Sequence, residues 1–132
     1  MNKIILLVIG ILLLLGIGVF SYFSFFVKSN NPTAGTYKGD YDYTIELSDY
    51  SFKPNTIEVS AGTSVKILLT NKSGTHDFVI DEFGLKSNTL SAGQEQLLTF
   101  RVPESSAGQS YEFYCSQANH RSMGMVGTIK IN

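Results

Sequence analysis

Sulfur and imidazole are scarce in this chain. Cys115 is the only cysteine in 132 residues, and His76 and His120 are the only histidines. A lone cysteine excludes an intramolecular disulfide, so burial of apolar side chains alone must hold the folded part. A basic excess is lacking too. The chain has 10 Lys and Arg against 11 Asp and Glu; without Lys3 and Lys28 the balance is 8 against 11, a formal charge of about −3. No strongly basic face can be built from that, which argues against a nucleic-acid partner. Beyond residue 28 no segment repeats its apolar residues with the 3.6 period of a helix, and there is no internal repeat or low-complexity tract. No nucleophile paired to a general base is visible, so an enzyme is not expected.

Apolar length is plentiful at the start of the chain. Ile4 to Val27 is an uncharged run of 24 residues rich in Leu, Ile and Phe, flanked by Lys3 and Lys28. About 20 apolar residues cross a bilayer core, so the run is long enough to span. A cleaved signal peptide is the rival reading, but its apolar core would be shorter and would end in a small-residue cleavage site. Here the run ends in Phe20-Ser21-Tyr22-Phe23-Ser24-Phe25-Phe26, and no cysteine directly follows it for lipid attachment. Lys3 favours a cytoplasmic N-terminus. The expected organisation is therefore a transmembrane signal anchor over 1–28, a linker over 29–42 and one folded domain over 43–132. The domain would lie on the extracytoplasmic side of the cell membrane.

Within that domain the signals are those of strands. Tyr43 to Leu47, Thr56 to Ser60, the alternation Val65, Ile67, Leu69, then His76 to Ile80, Leu97 to Val102, Tyr111 to Cys115 and Val126 to Ile131 are seven candidates. Ser51-Phe52-Lys53-Pro54-Asn55 reads as a turn-rich break between the first two. Short strands at regular spacing point to an all-β sandwich or small barrel.

The chemistry concentrates in Cys115-Ser116-Gln117-Ala118-Asn119-His120-Arg121-Ser122-Met123-Gly124-Met125. Period-two alternation puts Tyr111, Phe113 and Cys115 on one face, and two bulky aromatics make it the core side. A thiolate, an imidazole and a thioether in one segment suit copper, and two His with one Cys and a weak axial Met make an electron-transfer centre. His76 is the only histidine available as the second imidazole. Zinc would want an open fourth position or a harder ligand, and Met125 is a poor choice for it. Asp77 is a candidate hydrogen-bonding partner for the Cys115 loop. Gly124 and Gly127 flank Met125 and offer the loop backbone freedom.

Cys-x4-His-x4-Met after an aromatic strand, with an upstream His76-Asp77-Phe78, resembles the cupredoxins, the type 1 blue-copper family. The resemblance spans Tyr43 to Asn132, including Phe52 to Val59 and Met125-Val126-Gly127-Thr128. It implies a Greek-key β-sandwich, here preceded by the one transmembrane helix that the apolar run predicts, with His76, Cys115 and His120 as equatorial ligands of one copper ion and Met125 as the axial one. Met123 is a second thioether whose spacing misses the family pattern. The segment is also similar to the copper domain of cytochrome oxidase subunit II, which holds two coppers through two bridging cysteines; one cysteine fits a mononuclear centre. The implied function is a membrane-tethered electron carrier, a monomer that shuttles single electrons between redox partner proteins. A copper delivery or storage protein supplying an oxidase is the alternative.

Overall fold

Alternating apolar residues become strands almost throughout. The computed structural model describes residues 37–132 together with the short strand 33–34; the expected membrane span at 4–27 lies outside the described residues. Twelve strands follow in order: β1 (Thr33–Ala34), β2 (Tyr43–Ser48), β3 (Ser51–Lys53), β4 (Thr56–Val59), β5 (Ser64–Asn71), β6 (Thr75–His76), β7 (Val79–Ile80), β8 (Leu85–Lys86), β9 (Leu90–Ser91), β10 (Gln94–Arg101), β11 (Ser110–Tyr114) and β12 (Val126–Ile131). Two single turns of 3-10 helix, Asp81–Phe83 and Glu104–Ser106, are the only helical elements among the described residues.

The strands form two five-stranded sheets. One runs β1-β10-β5-β2-β3 and the other β4-β12-β11-β7-β8; β6 and β9 make a separate pair. Each sheet is mixed: β2 runs parallel to β5 and β4 parallel to β12, while the other pairs are antiparallel. Parallel neighbours cannot be joined by a hairpin, so the chain crosses between layers to complete them. The core lies between the sheets, with Ile45, Leu47, Ile67 and Leu69 from one layer facing Ile57, Ile80, Phe113 and Ile129 from the other. This is the expected all-β sandwich.

Two local expectations are corrected, and a third segment gains a pairing. Ser51 to Lys53, read as part of a break, is a strand paired with Glu46 to Ser48, because Phe52 buries its ring in the core. His76 to Ile80 is not one strand. His76 pairs with Leu90, the chain then leaves strand geometry at Asp77 and Phe78, and Val79 pairs with Tyr114 and Lys86. His76, Asp77, Phe78, Val79 and Ile80 are all buried across that break, so no alternation of exposure marks it. Thr33–Ala34, within the segment read as a linker, pairs with Gln94 and Glu95 at the sheet edge, and the Tyr37 N–H donates to the Glu95 carboxylate at 2.6 Å.

Gly127 has a different role from the freedom expected of it. It sits opposite Phe113 across β11 and β12, and a Cβ there would collide with the Phe113 ring and fall 2.6 Å from the Asn55 carbonyl oxygen. The missing side chain is the space the ring fills. Phe113 stacks on Phe78 with centroids 4.8 Å apart, and Phe52 meets both rings edge-on. Tyr111, on the same face of β11, packs instead against Phe83.

Candidate metal centre

Two segments distant along the chain meet at one end of the sandwich. Cys115 directly follows β11, and its side chain is fully buried, continuing the alternation from Phe113. The loop that follows is closed by its own backbone: His120 N–H bonds to Gln117 O at 3.0 Å, Met125 N–H to His120 O at 3.0 Å, and Cys115 N–H to Met125 O at 3.2 Å. Gly124, at φ +96°, makes the left-handed turn that brings the chain back into β12. His76 arrives from β6 and is 1% exposed.

The donor atoms converge. Cys115 Sγ lies 3.8 Å from His76 Nδ1 and 3.5 Å from His120 Nδ1, and the two ring nitrogens are 3.2 Å apart. The point equidistant from all three lies about 2.0 Å from each, within the metal–nitrogen range of roughly 2.0–2.1 Å and just short of roughly 2.3 Å for a metal–sulfur bond. These three are the described cluster of His, Cys, Asp or Glu side chains able to hold a metal ion. Met125 is also fully buried in the same core cluster and is backbone-bonded to both Cys115 and His120, whereas Met123 is 46% exposed.

Electrostatics agree with a cation in that space. Burial pushes the Cys115 thiol up. Burial, then the neighbouring His120, pushes the His76 imidazolium down. Without an ion, Cys115 and His76 are therefore each biased toward the neutral form. A bound divalent cation reverses the penalty on the thiolate, because the ligating form is the deprotonated one. Soft sulfur with imidazole selects copper over harder ions.

Asp77 ties the site shut. Its buried carboxylate accepts from the Ser116 N–H at 2.6 Å, the Ser116 hydroxyl at 2.6 Å and the Gln117 amide at 2.8 Å, with Lys86 Nζ at 3.6 Å. Burial pushes that carboxyl up, but the Ser116 and Gln117 hydrogen bonds and the Lys86 charge together hold it below the usual carboxylate range. The first two residues of the loop are thus fixed to the residue after His76, which holds two ligand-bearing segments in register.

A model of the cupredoxin-like domain matches residues 17–129 of the sequence. The chain belongs to the cupredoxin-like domain family. A plastocyanin from Dryopteris crassirhizoma is 32% identical over 98 residues, which are 65% of this chain and 92% of the fern protein. Among solved structures, an auracyanin from Roseiflexus castenholzii superimposes with a TM-score of 0.59 at 18% identity, over 68% of this chain and 95% of its own. A chain of a heme-copper terminal oxidase dimer gives a TM-score of 0.60 at 18% identity over 98% of both chains. At such identity these two likenesses speak for the fold. A single copper ion is the cofactor that the donor set and membership among the cupredoxins support.

Of the four candidate residues, His76, Cys115 and His120 bring their donor atoms together, and Met125 is buried in the same core cluster. Sequence reasoning missed the β2–β3 turn, where Tyr50 lies edge-on to the His120 ring at 5.1 Å and 84°, and Asp49 stands 3.8 Å from His76 Nε2. It also missed Phe52 in the aromatic wall. No periodicity marks a turn residue that reaches a site through tertiary contact; the apolar Phe52 inside a polar pentapeptide was the one available sign.

Proposed function

We propose that this chain is a membrane-tethered, mononuclear type 1 copper protein that transfers single electrons between redox partners outside the cytoplasmic membrane. The observation that carries the reading is the triangle of His76 Nδ1, His120 Nδ1 and Cys115 Sγ, with edges of 3.2, 3.5 and 3.8 Å. Bound copper would supply a one-electron couple, Cu(II) to Cu(I), that needs no proton and no substrate pocket.

The chain's own residues do the rest. His76, Cys115 and His120 would hold the ion, and the buried Met125 would offer its thioether. Asp77 holds the Cys115 loop against the His76 segment, so the donors keep their spacing whichever charge the centre carries. Phe52, Phe78 and Phe113 pack together in the same buried, apolar cluster as Cys115. His120 is only partly buried, and exposed Tyr50 and Met123 lie on the same turn-and-loop end. Its ring edge is the port through which an electron would reach a docked partner. The uncharged run Ile4 to Val27 supports the tether, with the domain acting as a monomer.

The test is an optical and paramagnetic-resonance spectrum of the full chain in detergent after loading with Cu(II). A thiolate-to-copper band near about 600 nm with reversible one-electron chemistry is expected. A colourless protein that holds only Cu(I) and gives it up readily would replace this reading with copper delivery or storage.

A further inference from the structure

His76 has a second nitrogen, and its situation is unresolved by the metal centre alone. A ring that offers its Nδ1 lone pair to a metal must carry its proton on Nε2. That nitrogen in His76 is buried and has no hydrogen-bond partner. Leaving a buried N–H unpaired costs about 1–3 kcal/mol, and metal-ligating histidines ordinarily give that proton to a carboxylate or a backbone carbonyl.

We propose that Asp49 is a positioning residue for this centre, its carboxylate accepting the Nε2 proton of His76 on the side away from the metal. The inference rests on the copper reading above. Asp49 Oδ1 stands 3.8 Å from His76 Nε2, and its side chain is 68% exposed, free to travel the ~1 Å to hydrogen-bond length. The turn carrying it is already fastened beside the ring. The Asp49 N–H donates to Ser73 Oγ at 3.2 Å, and the Lys72 N–H to Leu47 O at 2.8 Å. Between carboxylate and ring lies Gly74, at φ +67°, where a Cβ would be 2.7 Å from Asp49 Oδ1 and 2.8 Å from His76 Nε2. The absent side chain leaves the approach open. Asn71 holds that glycine in place by donating to Gly74 O at 3.1 Å and Leu90 O at 2.7 Å. The competing acceptor is the Ser73 carbonyl, which also faces the His76 ring. A carboxylate partner goes further than a carbonyl: its negative charge makes Nδ1 a stronger donor still and favours the more highly charged state of the centre.

The experiment uses the full chain in detergent micelles. With only two histidines in the sequence, 15N-histidine labelling displays two rings. In the metal-free protein the parent should show a protected His76 Nε2 proton, retained in Asp49→Asn and lost in Asp49→Ala. In the copper-loaded protein Asp49→Asn, which keeps an acceptor but not the charge, should favour Cu(I) by roughly threefold, about 28 mV at 59 mV per tenfold. The shift is modest because the carboxylate is exposed and screened. An Asp49→Ala ring proton as protected as the parent's would assign the role to the Ser73 carbonyl and overturn the proposal, as would an Asp49→Asn potential equal to the parent's. Should the parent bind no copper, the proposed function falls, while the ring-proton comparison still decides the role of Asp49.

Discussion

Asp77→Ala is the substitution whose effect the geometry specifies best. Three hydrogen bonds to the carboxylate are lost, each worth about 1.5–3 kcal/mol to a charged acceptor. Against them stands the cost of keeping a carboxylate fully buried, several kcal/mol, which alanine removes. Lys86 is 58% exposed and 3.6 Å away, so its ion pair adds less than about 1 kcal/mol. The Ser116 N–H is left without its acceptor, while the Ser116 hydroxyl and Gln117 amide, only partly buried, can turn to water. The net loss should be ~2–4 kcal/mol. For a domain near 100 residues that lowers Tm by roughly 10–25 °C. Thermal melts of the metal-free protein, followed by near-ultraviolet circular dichroism, measure it. Because the loop then loses its tie to the His76 segment, chelator competition should also show weaker copper retention. An alanine variant melting within about 3 °C of the parent would refute the claim that this carboxylate closes the site.

Other substitutions separate the remaining roles. Cys115→Ser should abolish the band near about 600 nm, since the transition needs a thiolate; a variant still blue would refute the site. Met125→Leu, nearly volume-conserving and so costing under about 1.5 kcal/mol, should raise the reduction potential with little change of colour. Met123→Leu should leave both unchanged, and the reverse pattern by cyclic voltammetry would move the axial assignment to Met123. Gly127→Ala, driven into Phe113 and the Asn55 carbonyl, should destabilise the metal-free domain by ~2–3 kcal/mol in urea titration. A neutral result there would mean the aromatic stack is looser than its contacts indicate.

How much of this was legible beforehand depended on distance along the chain. Cys115, His120 and Met125 share a short loop between two strands, so their nearness along the chain and the inward face of Cys115 follow from spacing and from the burial phase that Phe113 sets. His76 was reached by elimination, as the only other imidazole, and not by any local pattern. The strand periods of β2, β4, β5, β10, β11 and β12 were readable because each buries one face at least in part. β3 was hidden because three residues around Phe52 hold too short an alternation to outweigh the neighbouring turn residues.

Composition and order along the chain determined the donor types, the single-cysteine limit, the β class and the uncharged run at 4–27. Tertiary structure alone decided that His76 would meet Cys115 across 39 positions, that both rings would present Nδ1, and that the Asp49–Tyr50 turn would lie over them. The reason is physical: local sequence sets which face of a strand is buried, but which segments share an end of the sandwich follows from how two mixed sheets cross over and close on one core.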